Sequence, residues 1–371
     1  MGANSFGKFF TFTTYGQSHG SEMGVIIDGC PAGLVIDEDV ITRDLQARRP
    51  GKRYGTSARG EKDLFSINSG VFEGVTTGAP IAIRIANADV RSQDYNNAKN
   101  LHRPGHASYT YFNKYGLDDY RGGGRASARE TVCRVACGAI AQMLLRHFGI
   151  EVCASLENLQ TSITSDWQES WNWPEICDTP FFSLDSKFTQ EAQAHLENLV
   201  QRGESCGATV RGWATGVPCG LGDPIYEKLP ALLGSAMLSI PAVKSFSIGA
   251  IDAAISLEGS SYRDEFMGKD TFASNRCGGV LGGISSGQTI YCSAQFKPTS
   301  STKKSAVTHK KNTDPSAKVT LEHWSPTDNT RHDPCVAIRA VPVVRAMLAI
   351  VLADRLLANC CSSLSHLKKI Y

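Results

Sequence analysis

The sequence predicts an α+β fold. Strand-like and helix-like stretches are mixed along the chain without the regular strand–helix alternation of a parallel sheet. The 371 residues are 42% hydrophobic, enough for a substantial core, and length alone admits one large domain or two smaller ones. No similarity recurs at a fixed period, so a repeat architecture is not indicated.

The elements follow in order. Residues 9–14 are aromatic and β-branched and read as a strand, as does 24–28 (GVIID); Gly29, Pro31 and Gly33 mark turns. Residues 37–47 read as a helix with Asp37 or Asp39 near its start. Pro50 and Gly51 open a polar, basic stretch, and strands are expected at 70–75 and 80–85. Residues 127–148 carry helical spacing through Val132, Val135, Ile140, Met143 and Leu144, with Gly149 as a C-terminal stop. The tryptophan-rich stretch 162–184 is irregular. A helix is expected at 191–201, stopped by Gly203, and another at 229–239. Alternation predicts strands at 208–217, 247–257 and 288–296. Residues 297–318 are rich in Ser, Thr and Lys. They read either as a solvated surface loop or as a mobile flap over an anionic ligand. The apolar run 341–357 is interrupted by Arg345, Asp354 and Arg355, so it predicts a buried helix and not a membrane span.

Charge and cysteine usage narrow the class. The formal net charge of +2 is far from the strongly basic balance of a nucleic-acid binder. Twelve cysteines occur without a CxxC pair; Cys133 with Cys137 and Cys360 with Cys361 do not have zinc-ligand spacing. Such cysteines read as small buried hydrophobes in a reducing compartment, with no metal. The first residues lack a basic region followed by an apolar stretch, and Phe6 occupies the Ser/Thr position of a myristoylation motif. A cytoplasmic protein is expected.

Four segments gather glycine, arginine and histidine in ways that a core does not require. Gly16-Gln17-Ser18-His19-Gly20 places a histidine on a tight turn, where flanking glycines let a ligand approach. Arg48-Arg49-Pro50-Gly51-Lys52-Arg53 is either a solvated basic turn or a site for phosphate or carboxylate, which guanidinium groups grip with two prongs. Arg103-Pro104-Gly105-His106 precedes Asp119-Tyr120-Arg121-Gly122-Gly123-Gly124-Arg125-Ala126-Ser127-Ala128-Arg129-Glu130. Three glycines before a helix start offer backbone N–H groups to an anion, and this run is neither a dinucleotide fingerprint nor a P-loop. In Arg331-His332-Asp333-Pro334, Asp333 reads as a helix cap with Pro334 in the first turn, which leaves Arg331 and Arg339 without a structural reason. Together these residues describe acid–base chemistry on a small, highly anionic ligand.

The segments GQSHG, RRPGKR, RPGHASYTY, DYRGGGRASARET, GGISSG, KPTSS and RHDPCVAIRAVPV resemble, in order, those of the chorismate synthase family. The resemblance runs from Phe6 to about Leu357. It implies a β-α-β sandwich-type core in a single large domain over 1–371, a homotetramer, and an anti 1,4-elimination of phosphate from 5-enolpyruvylshikimate 3-phosphate. Reduced FMN is required and no net redox change occurs. By motif position, His19 is implied as the acid near the departing phosphate, His106 as the group beside the flavin N1 side, and Asp333 as the base working through flavin N5. Arg48, Arg53, Arg129 and Arg339 are implied for the anions of substrate or nucleotide. Arg125, Ala126, Ser127, Pro241, Ala242, Gly282, Lys297, Pro298, Thr299, Ser300, Ser301 and Arg331 fall where the family contacts FMN. The chain departs from the pattern at Gln17 and Ser108, where acidic residues are expected, and at Arg345, where an acidic residue is common. An NADPH-dependent bifunctional form is the alternative. No separate nicotinamide motif is visible, so an external flavin reductase or reductant is expected.

Overall fold

The computed structural model describes residues 2–51, 62–87, 99–160, 162–311, 318–321 and 333–369. Helices and strands are mixed, as the α+β expectation has it. Strands Ser5–Phe6, Thr11–Gly16, Glu22–Asp28, Ile81–Ala86 and Phe65–Ser69 lie in that spatial order in one antiparallel sheet. Its inward face follows from the two-residue period of a strand. Met23, Val25 and Ile27 sit opposite Ile85, Ile83 and Ile81, and all six are fully buried. A second antiparallel sheet runs Val243–Ile248, Ile290–Phe296, Ala208–Thr215, Glu151–Leu159, Ile163–Thr164.

Helix Thr131–Arg146 packs on the first sheet and helix Ala337–Asn359 on the second, and the two helices pack on each other. From Thr131 to Leu145 every residue of the Thr131–Arg146 helix except Arg134 is buried, because the helix meets a sheet on one face and helices on others. The two helices approach closely at Gly138: a Cβ there would lie 2.3 Å from the Cβ of Ala346. Only glycine fits that crossing.

Three charged side chains organise this interior. Arg345 donates from Nη1 to both oxygens of Asp44, each at 2.8 Å, and from Nε to the Val152 carbonyl at 2.7 Å. Its guanidinium lies 4.3 Å from the ring of Trp173, whose Nε1–H donates to Asp44 Oδ1 at 2.8 Å. One buried pair thus joins helix Glu38–Arg48, the C-terminal helix, the second sheet and the tryptophan-rich stretch. Further along the C-terminal helix, Asp354 Oδ1 accepts the backbone N–H groups of Lys8, Phe9 and Phe10 at 2.8, 2.6 and 3.0 Å. That carboxylate ties the start of the chain to its last long helix.

Several expectations are corrected. Residues 247–257 are not one strand: the strand ends at Ile248, Gly249 turns with φ +70°, and Ile251–Ser256 is helical. The alternation there was produced by small apolar residues that suit a short exposed helix equally well. The 127–148 helix begins later, at Thr131. Ser127 is extended and its hydroxyl accepts the Arg129 N–H at 3.4 Å, which splits the approach into two 3-10 turns. The 70–75 strand breaks at Gly70 into a preceding strand and a hairpin, Val71–Phe72 with Val75–Thr76. The helix expected at 191–201 starts earlier, at Ser186, capped by Asp185. Within 297–318, Ala306–His309 forms a strand paired with Lys318–Leu321, and Lys311 Nζ bonds Asp118 at 2.5 Å; residues 312–317 lie outside the described residues. Composition alone hid this pairing. Among the described residues, no helix is long and apolar enough to cross a membrane.

The Arg345 pair is testable. Arg345→Met leaves the Asp44 carboxylate buried without its cation, which costs about 3–5 kcal/mol. Adding Asp44→Asn removes the stranded charge and recovers much of the loss. Urea unfolding midpoints check both, and an unchanged midpoint in the single variant refutes the account.

Candidate active site

The predicted site residues are joined by a chain of contacts that closes on itself. It starts at His19, on the turn after strand Thr11–Gly16. Ser18 Oγ lies 3.2 Å from His19 Nδ1, and the Ser18 N–H donates to the Gly124 carbonyl at 3.4 Å. The glycine run passes between the two histidines. A Cβ at Gly122 would lie 2.3 Å from His19 Cε1, and one at Gly123 would lie 2.9 Å from His106 Cε1. Both glycines have positive φ, so a side chain is excluded by conformation and by space. Both ring nitrogens of His106 face donors, the Ser108 N–H 3.2 Å from Nδ1 and Arg103 Nη2 2.9 Å from Nε2, and the tautomer sets which of the two the ring accepts.

The path continues through the KPTSS segment. Lys297 Nζ donates to the Gly105 carbonyl at 2.7 Å, and Ser300 lies against Gly105. Lys297 N–H donates to the Ala242 carbonyl at 2.9 Å, which brings in Pro241 and Ala242. Thr299 Oγ1 donates to the Asp333 carbonyl at 3.0 Å. Asp333 Oδ2 then accepts from Arg339 Nη1 at 2.9 Å, and Arg339 Nε donates to the Arg48 carbonyl at 3.3 Å. Arg48, Pro241 and Arg339 line one narrow pocket with Ala128, Thr131 and Val336. Asp333 is therefore not the helix cap expected from the sequence. The helix starts at Ala337, with no side-chain cap, and the carboxylate goes to Arg339.

Asp63 closes the cationic arc. Its Oδ2 accepts from Arg48 Nη2 at 2.8 Å, and its Oδ1 accepts from Arg129 Nη1. Burial pushes the Asp63 carboxyl up, but the guanidinium groups of Arg48 and Arg129 outweigh it and hold it at about 2, below the ordinary 3.8. Arg129 Nε donates to Asn87 Oδ1 at 3.0 Å, and Asn87 Nδ2 donates to the carbonyls of Gln17 and Gly20, each at 3.0 Å. Those carbonyls flank His19, so the ring is complete.

Not every predicted residue joins it. Arg53 and Arg331 lie outside the described residues. Arg125 directs its guanidinium to Asn4, Thr14 and the Gly16 carbonyl, so it braces the strand before His19. Ser127 shapes the turn before Arg129. Gly282 sits in the tight turn between Val280–Leu281 and Ile284–Ser285, where a Cβ would meet nothing within 4 Å. Asp63 and Asn87 were missed by sequence reasoning. The only available signal for Asp63 was indirect: buried arginines need a counter-anion. Ser108 has a local reason, since its Oγ accepts the Arg103 N–H at 2.9 Å; nothing in the structure explains Gln17, whose backbone carbonyl is what receives Asn87.

Three guanidiniums, two carboxylates and two histidines are brought together on glycine-lined backbone, the residue types that acid–base work on a polyanionic small molecule calls for. The comparisons with known proteins show the family. The family model described as chorismate synthase matches residues 10–357. The chain is 47% identical over 369 residues to a chorismate synthase of Protochlamydia amoebophila, covering 97% of this chain and 98% of that one. It is 45% identical to one of Francisella tularensis subsp. holarctica, covering 96% and 98%. A crystal structure of chorismate synthase superposes with a TM-score of 0.74 at 27% identity, over 98% of this chain and 96% of that one. The chain belongs to the chorismate synthase family, and it is a lyase.

The Asp63 pairing predicts a pH dependence. Its folded pKa is depressed from 3.8 to about 2, so the pair stabilises the fold above the unfolded value and that contribution is lost as pH falls through this window. A shift of this size corresponds to roughly 2 kcal/mol. Urea midpoints taken from about pH 5 down to about pH 3 should fall less steeply in Asp63→Asn than in wild type, because the variant has no carboxylate to protonate. Equal slopes would sink the pairing.

Proposed function

We propose that this chain converts 5-enolpyruvylshikimate 3-phosphate to chorismate by anti 1,4-elimination of phosphate, with reduced FMN required and no net redox change. The observation that carries this is the closed ring. It sets Arg48, Arg129 and Arg339 on one arc and His19 and His106 on the other, with Asp333 between. A substrate with two carboxylates and a phosphate needs that density of guanidinium groups in a water-poor site. The β-α-β sandwich-type arrangement and a homotetramer belong to the same reading.

The residues present fit FMN. The Lys297 ammonium, the hydroxyls of Ser127, Thr299, Ser300 and Ser301, and the backbone around Ala126, Pro241 and Ala242 suit a phosphate tail and a planar ring. Gly122 and Gly123 keep side chains away from the histidines. What reduced FMN supplies when bound is electron density against the charge deficit that develops as phosphate departs. His19, its ring set by Ser18, gives a proton to the departing phosphate. Asp333 takes up the proton lost from the ring, its carboxylate aimed by Arg339. His106, fixed between Arg103 and Ser108, holds the charge state at the flavin. The reduced flavin comes from an external reductase or reductant in the cytoplasm.

Anaerobic assay with chemically reduced FMN tests the reaction. Many chorismates should form per flavin, with the flavin still reduced and with no NADPH added. Equal activity with oxidised FMN, or one flavin oxidised per product, defeats the reading. His19→Ala and His106→Ala should each lower kcat roughly 10²–10⁴-fold with the fold intact, the range of acid–base groups. Near-full activity in either variant removes that histidine from the mechanism.

A further inference from the structure

Asp63 is buried, its side chain almost wholly enclosed, and it touches two arginines at once. It stands at φ +48°, a left-handed conformation that aspartate tolerates better than most residues. The turn directs one carboxylate oxygen to Arg48 and the other to Arg129. Arg48 comes from the end of helix Glu38–Arg48, and Arg129 from the turn before helix Thr131–Arg146. Arg129 is held at every guanidinium nitrogen: Nη1 by Asp63, Nε by Asn87, and Nη2 by the Ala86 carbonyl at 3.4 Å.

We infer that Asp63 is a positioning residue: it presets Arg48 and Arg129 as one receptor for the substrate's anionic groups. This rests on the function proposed above. Without the carboxylate, two long cationic side chains would repel each other and sample many rotamers, and the ligand would have to order them on arrival. With it, both guanidiniums stand fixed before the ligand enters. Asp333 and Arg339 give the same arc a second pair.

The test uses the full chain with reduced FMN under anaerobic conditions, and variants Asp63→Asn and Asp63→Glu. KM for 5-enolpyruvylshikimate 3-phosphate should rise roughly 10–100-fold in Asp63→Asn, the scale of a misplaced positioning group, with a smaller change in kcat. Asp63→Glu, which restores the charge, should recover part of the loss. A purely architectural role would reduce the active fraction and leave KM where it was, and that result overturns the inference. Should Asp63→Asn fail to fold, Asp63→Glu decides alone: a raised KM supports the role and a wild-type KM overturns it. The two readings fail separately. If wild type does not turn over this substrate, the proposed reaction falls; if wild type does and KM is unaltered in the variants, only the role of Asp63 falls.

Discussion

Helix Glu38–Arg48 buries two opposite charges four residues apart, and most of the interior is arranged to satisfy them. Four residues is one turn, so Asp44 and Arg48 share a face. A buried charge without a partner is among the costliest defects a core can hold. Asp44 therefore requires Arg345 from the C-terminal helix and the Trp173 indole, and Arg48 requires Asp63. The first set is a core contact and the second belongs to the site. A single helix face thus links the packing of the molecule to the placement of the arginines in the candidate site. Arg339, one and a half turns before Arg345 on the C-terminal helix, reaches back to the Arg48 carbonyl and repeats the link from the other side.

The parts of the fold that were legible in the sequence rest on local periodicity. Ile81, Ile83 and Ile85, or Met23, Val25 and Ile27, announce a strand with one buried face, and Val132 to Leu144 announce a helix. The site was legible as motifs, because glycine, arginine and histidine together serve no core. What the sequence hid were partnerships across long separations. Nothing near Asp63 says that it meets Arg129, which is 66 residues away, and nothing near Asn87 says that it joins Arg129 to the His19 turn. Local rules also misled where two explanations fit one residue. Asp333 before Pro334 has the look of a cap, yet the nearby guanidinium of Arg339 is the stronger partner for a carboxylate.

Arg345 shows how a cation is accommodated inside an apolar helix. A cation in the middle of an apolar helix is costly unless its surroundings are rebuilt for it. Here the surroundings are a bidentate carboxylate, a carbonyl and an aromatic face, all on different elements. The same logic covers Ser108, whose hydroxyl meets a backbone N–H in the loop that orients His106. In both places a polar side chain finds its hydrogen-bonding partners in its immediate surroundings.

The closed ring also has a consequence for synthesis. Its members run from Gln17 to Arg339, so segments far apart in the sequence build one ring. A chain still on the ribosome cannot complete the ring until the C-terminal helix has emerged, and the Asp354 clasp on Lys8 to Phe10 forms later still. Contacts of such long sequence separation are slow to form, because loop closure must precede them. Nascent or truncated chains therefore carry no competent centre that could capture a reactive ligand early. The ring closes only with helix Ala337–Asn359.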